Sequence, residues 1–394
     1  MNLYLQFVLR YLNPKSRNSF SSNASILAII GLSIGLFSLL LTMSIIKGFE
    51  NVLEKKLSSI DGLFRVQNIL GKPILVEENL DSLLYNTGLP IEVSPYVRGT
   101  AMIRLGEYTE GIIIEGVTKL PDRAYFNIEE NTVSENNIII GKSLSDDLDI
   151  NIGDKVIITP LINTLRGPIS QKYNLIEVSG LFKSGMQEYD KTIAYVSLDQ
   201  AKKIFEMENQ VSGYVINSKE TLIALNEKLN DHIRYPYYLE SWKDRHRIIF
   251  DWIHIQRLPI IIIFGLIALV AITNIMATIS MIIREKNSQI GILMAQGMKY
   301  NDIQKIFFIQ GGVIGLVGCV LGATASYLFI LLQNRYKLIS LPEDIYFMDY
   351  VPAAFDYSIF CIILISTLLI SILSTIVPTK TIMKLRPSDM LVQE

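Results

Sequence analysis

Cysteine and histidine are scarce in this chain of 394 residues: two cysteines and three histidines. Cys319 and Cys361 both fall inside apolar runs, so no disulfide framework is available and both read as small packing residues. His246 and His254 stand eight residues apart, two turns of a helix, which is too far for one metal ion; His232 has no companion. No His-Glu-x-x-His, Cys-x-x-Cys or Gly-x-Ser-x-Gly occurs, which removes the common signatures of metallohydrolase, redox and serine-nucleophile chemistry. Gly141-Lys142-Ser143 looks like the end of a phosphate-binding loop, but Asn136 stands where that loop needs its first glycine. A strand-to-helix turn is expected there instead. The formal net charge is −2 and no dense basic run exists, so nucleic acid is excluded as a partner. Any chemistry this protein drives is expected to come from another chain.

Charge is missing altogether from four stretches. Residues 18–46, 258–283, 306–334 and 357–379 contain no Asp, Glu, Lys or Arg, and each exceeds the roughly 20 apolar residues that a helix needs to cross a bilayer. The first stretch follows Arg10, Lys15 and Arg17, as a secretory leader would. Its apolar core is about twice the usual leader length and no small-x-small site follows, so an uncleaved helix is expected. Carboxylates are absent from all four, which argues against a proton- or ion-coupled transporter.

Basic residues near helix ends set orientation. Arg10, Lys15 and Arg17, then Arg284, Lys286, Lys299 and Lys305, then Lys380, Lys384 and Arg386 mark three cytoplasmic segments. The remaining short loop balances Arg335 and Lys337 against Glu343, Asp344, Asp349 and Asp356. The pattern implies an inner-membrane protein with both termini inside: a cytoplasmic segment 1–24, transmembrane helix 1 at 25–46, an extracytoplasmic α/β domain at 47–257 and helix 2 at 258–283. A cytoplasmic segment 284–305, helix 3 at 306–333, an outer loop 334–356, helix 4 at 357–378 and a cytoplasmic tail 379–394 follow. The expected fold class is therefore α-helical membrane protein, four transmembrane helices, with a large mixed α/β domain inserted between helices 1 and 2.

Within the insert, β-branched runs at 111–117, 137–140, 155–159, 175–178, 192–196 and 214–216 predict strands. Gly153-Asp154 and Ser179-Gly180 predict turns. Ser197 begins a capping box ahead of a helix at 201–207. Ser218 is placed to cap a helix at 219–229, with Leu222, Leu225 and Leu229 as its stripe. A third helix is expected over 240–256, unbroken towards the membrane, with a kink at Pro259.

Three constellations stand out. Gly31 and Gly35 in helix 1, and Gly311, Gly315, Gly318 and Gly322 in helix 3, form small-residue stripes that let helices approach in lipid. In the 284–298 loop, Ile290, Leu293 and Met294 share one face of a short helix that Gly297 ends; after Glu285, that face suits a groove on a cytoplasmic partner or the lipid surface. Residues 160–173 are long for a hairpin connection and read as a contact loop. Its donors are Arg166, Gln171 and Lys172, its apolar groups Leu161, Ile162 and Leu165, and Pro168 stiffens the tip.

Several stretches together carry a family resemblance. They are Gly31-Leu-Ser-Ile-Gly35 with Lys47-Gly-Phe-Glu50, Gly141-x-x-Leu144 with Ile152-Gly-Asp154, and Gly185-Met-x-Glu-Tyr-Asp190 with Ala194-Tyr-Val-Ser197. Ser241-Trp-Lys-Asp244, Asn274-Ile-Met-Ala277, the Glu285 to Gly297 loop and Phe307-x-x-Gln-Gly311 complete the set. In this order they resemble the FtsX-like permeases of the type VII ABC transporter class and, within it, the LolC/LolE permeases of the lipoprotein-releasing system. The resemblance implies a non-catalytic permease with a MacB-like periplasmic domain. It implies no cofactor of its own, ATP being bound by a separate LolD-like ATPase that docks on Glu285, Ile290, Leu293, Met294 and Gly297. It further implies a second permease chain, equal or different, and mechanotransmission of ATPase closure to the periplasm. The cargo would be lipoproteins, handed to a LolA-like chaperone recruited by the hairpin residues Leu161, Leu165, Arg166, Pro168, Gln171 and Lys172. The alternative is an FtsX-like regulator acting on periplasmic cell-wall hydrolases, whose insert is typically smaller than the roughly 210 residues here.

Overall fold

The computed structural model describes residues 20–76, 90–120, 127–129, 136–161, 173–218, 222–230, 232–342 and 348–382. It divides into two compact units. One comprises Met1–Glu50, Trp252–Ile339 and Val351–Glu394; the other comprises Asn51–Asp251 and Ser340–Tyr350.

Helix α1 (Phe20–Asp61) is 42 residues long and passes from the first unit into the second. The second unit then runs β1 (Phe64–Asn68), β2 (Ile74–Leu75), β3 (Ile91–Leu105), β4 (Tyr108–Val117), β5 (Asn127–Glu129), β6 (Asn137–Gly141), α2 (Lys142–Leu148), β7 (Lys155–Pro160) and β8 (Asn174–Lys183). It continues through α3 (Gln187–Thr192), β9 (Ile193–Ser197), α4 (Leu198–Phe205), β10 (Gln210–Val211), β11 (Gly213–Ser218), α5 (Leu222–Asn230), β12 (Tyr237–Ser241) and α6 (Trp242–Arg245).

The long strand β3 organises this unit. Residues 91–96 pair with β11 while residues 101–104 pair with β7. From there the pairings close on themselves: β3 with β4, β4 with parallel β9, β9 with β6, β6 with parallel β8, β8 with β7, and β7 back to β3. On the other side, β11 pairs with β1 and β1 with β12. Alternate residues of the ring strands, such as Ala101 and Ile103, Ile112 and Ile114, Val156 and Ile158, are buried in one apolar core, as the two-residue period of a strand requires. Helix α4 lies close against this sheet because Gly99 and Gly116 leave room: a Cβ at Gly116 would collide with Ala201, and one at Gly99 with the Phe205 ring. Ser197 caps α4, its hydroxyl accepting from the Gln200 amide at 3.2 Å.

Two sequence expectations need correction, and a third falls partly outside the described residues. Ser179-Gly180 is not a turn; it lies inside β8, where the register against β6 steps between Ile138 and Ile139. The extra residue is accommodated as a bulge. Ser218 ends β11 and its hydroxyl donates to the Pro90 carbonyl at 3.0 Å; residues 219–221, where its capped helix is expected to begin, lie outside the described residues, and α5 is described from Leu222. Residues 240–256 are not one helix. Register with β1 draws Tyr237–Ser241 into the sheet edge, Ser241 then caps the four-residue α6, and His246 breaks the chain direction at φ −100°, ψ 23°.

The first unit continues with α7 (Arg247–Glu285), which holds Pro259 in its interior, then α8 (Asn287–Ala295), α9 (Tyr300–Tyr336), α10 (Tyr357–Leu373) and α11 (Ile376–Ile382). Four spans, in α1, α7, α9 and the α10–α11 stretch, are long and apolar enough to cross a membrane. Their close approaches are made at glycines. A Cβ at Gly311 would meet Thr375 and one at Gly315 would meet the Ser371 side chain, so these two face the α10 end. Gly318 and Gly322 face α1 instead, with a Cβ coming 2.7 Å from Leu32 Cδ2 and 2.8 Å from the Ser33 carbonyl respectively. A Cβ at Gly35 would come 2.7 Å from Ile267 Cγ2 of α7, and Gly31 sits looser, a Cβ there lying 3.6 Å from the Asn274 amide nitrogen. At the far end of α9, the buried Gln333 amide donates to the carbonyls of Ile339 and Val351 and accepts from the Ile339 amide, pinning the loop that follows.

Candidate functional site

Helix α8 forms where the sequence places a short helix, and Gly297 ends it at φ +94°. Its apolar face, however, is turned inward. Ile290 is 2% exposed and, with the half-buried Met294, packs among Ile279, Ile282, Ile303 and Phe307 of α7 and α9. Leu293 is half-buried. The expectation that Ile290, Leu293 and Met294 together face a partner is therefore corrected for Ile290 and Met294: burying them against the chain's own helices holds α8 in place. The solvent side carries Ser288, Gln289, Ile292 and Gln296. Ile292 is the large apolar residue there, 45% exposed. Glu285 pairs with Lys286 at 3.2 Å at the start of the segment.

The hairpin is described only at its ends. Leu161 and Tyr173 are exposed, and the Leu161 amide donates to the Thr100 carbonyl at 2.9 Å. Ile162, Leu165, Arg166, Pro168, Gln171 and Lys172 lie outside the described residues.

A cluster that sequence reasoning missed sits on the polar side of the sheet. Asp61, the last residue of α1, is 1% exposed, as is Arg65 in β1, and Glu115 in β4 is 3% exposed. Arg65 Nη2 donates to Asp61 Oδ1 and to Glu115 Oε1, both at 2.8 Å, and its guanidinium lies 4.6 Å from the Tyr96 ring centroid. From the other end of the domain, Arg245 Nη1 reaches Asp61 Oδ1 at 3.2 Å and His246 Nε2 lies 2.6 Å from Asp61 Oδ2. The Tyr189 hydroxyl donates to the same Oδ2 at 3.4 Å. Arg245 also pairs with Glu240 at 2.6 Å, and Arg98 with Glu115 at 3.4 Å. Burial works against the Asp61 carboxylate, but the His246 hydrogen bond and the Arg65 and Arg245 cations outweigh it and hold the carboxyl far below its usual range. Burial likewise opposes the Arg65 cation, and Glu115 and Asp61 override it, raising its pKa. The Tyr189 phenol is pushed up by burial and by Asp61. Such a cluster is kept only because each charge is paired.

Glu115, Tyr96 and Tyr195 also border an open cleft of about 900 Å³ beside the last turns of α1. Among the described residues no group of His, Cys, Asp and Glu could hold a metal ion.

The family described as MacB-like periplasmic core domain matches residues 25–231, more than half of the chain, and that described as FtsX-like permease C-terminal matches residues 261–387. The chain belongs to the FtsX-like permeases. Curated relatives run end to end with it. The lipoprotein-releasing system transmembrane protein LolC of Xylella fastidiosa is 24% identical, with 97% of each chain covered. LolC of Neisseria meningitidis is also 24% identical and LolE of Haemophilus influenzae 23% identical, again over 97% of either chain. Among solved structures, the extracellular domain of the noncanonic ABC-type transporter YknZ aligns over 46% of this chain and all of that one at 13% identity. Its TM-score of 0.31 is too low to bear on the fold.

In this permease, two resemblance motifs converge on the buried cluster: Gly185-Met-x-Glu-Tyr-Asp190 supplies Tyr189, and Ser241-Trp-Lys-Asp244 directly precedes Arg245 and His246. Asp190 holds the turn, accepting from the Ser184 amide at 2.9 Å and the Ser184 hydroxyl at 2.5 Å. Gly141 is required opposite, since a Cβ there would run into the Asp190 backbone. The i, i+4 spacing of Asp61 and Arg65 was the local sign of the cluster.

Proposed function

We propose that this permease is the membrane subunit of an ATP-driven system that releases lipoproteins from the inner membrane to a periplasmic chaperone. The observation that carries the proposal is the end-to-end match to permeases named for lipoprotein release. The domain between α1 and α7 lies on the periplasmic side, and both termini and the α8 segment lie in the cytoplasm, in keeping with the basic residues flanking them. The permease binds no cofactor and performs no catalysis. ATP is hydrolysed by a separate LolD-like ATPase, and two permease chains, identical or different, share the work. Closure of the ATPases is passed along α1 and α7 to the domain, where the 160–173 hairpin recruits a LolA-like chaperone.

The ATPase contact is assigned to Glu285, Ser288, Gln289, Ile292 and Gln296, since Ile290 and Met294 are committed to the bundle. The test is reconstitution of the permease with its ATPase in liposomes carrying a lipoprotein. ATP should drive transfer to the soluble chaperone. Ile292→Asp should weaken ATPase copurification by roughly thirtyfold or more, as expected for a charge in an interface core, while membrane insertion stays normal. Replacing 161–172 by a Gly-Ser turn should leave the ATPase bound and abolish transfer. A wild-type complex that transfers nothing yet activates a cell-wall hydrolase would establish the regulator reading instead.

A further inference from the structure

The polypeptide enters and leaves the domain at adjacent places. Arm one is the last turns of α1, ending at Asp61; arm two is the segment through α6 and His246 into α7. The strands at their roots are neighbours: Phe64 of β1 pairs with Ser241 of β12, and the Trp242 amide donates to the Leu63 carbonyl at 3.2 Å. Each arm also has a bend at its root. Gly62 takes φ +72° between α1 and β1, a conformation natural to glycine. His246 breaks the helix between α6 and α7.

One side chain spans both bends. A carboxylate has about four lone-pair sites; Asp61 receives hydrogen bonds from Arg65, Tyr189 and His246 and has the Arg245 cation beside it. Arg245 and His246 reach it from arm two, Arg65 from β1 and Tyr189 from α3. With three hydrogen bonds, a second cation at 3.2 Å and its surface closed to water, Asp61 presents no open face to a ligand. What it does instead is hold arm one to arm two across two hinges.

We infer that Asp61 is a positioning residue, the bolt that makes the two membrane-linked arms turn as one lever. With the bolt closed, a shift of either helix turns the domain with it. With it open, the arms bend separately at Gly62 and His246 and the motion is dissipated. The inference rests on the proposed transport role for its use, but the bolt itself is a property of the chain alone.

The test places spin labels on cysteines at Glu54 in arm one and Arg247 in arm two, in a background of C319A and C361S, with the full-length permease in lipid nanodiscs. Electron–electron double resonance should give one narrow distance distribution for the otherwise unsubstituted chain and a broad or multiple one for Asp61→Asn. His246→Ala, which leaves Asp61 paired with Arg65 and Arg245, should broaden it too, and carries the test if Asp61→Asn does not fold. Narrow, unchanged distributions in the variants that fold overturn the bolt. In the assembled complex, the same variants should keep their ATPase but consume at least about fivefold more ATP per lipoprotein released, the lower range of site-to-site coupling. An unchanged ratio beside broadened distributions overturns the lever. A complex that never releases lipoprotein, with distributions that still broaden, removes the transport reading and leaves the bolt standing.

Discussion

In the membrane unit, hydroxyls turn back on nearby helix carbonyls. Thr42 bonds to Ser38, Ser280 to Met276 and Thr367 to Ile363, and Ser371 reaches across to Gly311 at 2.6 Å. In the domain, Asp61, Arg65 and Glu115 are sunk to 3% exposure or less, and Arg65 bonds to both carboxylates. Lipid offers helices no hydrophobic drive to associate, so the membrane unit gains its cohesion from close backbone approach at small residues. The domain has a sheet and flanking helices to exclude water, and there a charge survives if counterions and hydrogen-bond donors meet it. Added size thus threatens both halves, at Gly311 and Gly315 in one and at Gly116 and Gly141 in the other, whereas loss of a buried charge is a hazard of the domain.

The largest effect should come from removing charge in the domain. Arg65→Met keeps much of the side-chain volume but strands Asp61 and Glu115 without their shared cation. A loss of about 3–5 kcal/mol is expected. It should appear as early loss of the near-ultraviolet signal of Trp242, which is buried against Phe250, on heating in detergent. If the variant melts with the parent, the cluster does not stabilise the domain.

Size in the membrane unit comes next. Gly315→Leu places carbon where the Ser371 side chain lies and should cost about 1–3 kcal/mol through overpacking. The buried Cys319 of α9 reports it: in a Cys361→Ser background, a thiol-reactive dye should label Cys319 faster and at lower temperature. Gly315→Ala should show a weaker form of the same change. Equal labelling in all three would remove the close-packing argument.

The smallest effect is the response to acid. The depressed Asp61 carboxyl contributes stability that is fully in place above its unfolded value near 3.8. That contribution is lost only as pH falls from there towards the folded value. The Trp242 transition should therefore hold steady from pH 7 to pH 4 and weaken below, and Asp61→Asn should remove this part of the acid sensitivity. The Cys319 transition should not share it, because the charge-free spans hold no carboxylate.

The membrane helices were legible because a charge-free apolar run of about twenty residues is rare outside a bilayer span. The six expected strands all formed, because β-branched runs next to turn residues carry local information. Strand β3, together with β1 and β12, was missed: 91–105, 64–68 and 237–241 mix polar and apolar residues. They become strands through pairing partners far along the chain. The inward turn of Ile290 was hidden for the same reason, since a stripe on a short helix does not say which neighbour it meets. The charge cluster was the least legible, because Asp61, Glu115 and His246 meet only after the sheet has formed.

One consequence of the closed ring concerns how such a protein can change over generations. Strands β7 and β8 pair directly, Ile158 opposite Asn174 and Lys155 opposite Glu177, so the chain leaves and rejoins the ring at the same point. Whatever lies between is topologically a detour. Its closure cost grows only with the logarithm of its length. Residues 161–173 are therefore a position where segments can be exchanged between relatives with the host barrel unaltered. If this segment recruits the chaperone as proposed, a preference transplanted there should travel without the rest of the protein having to follow.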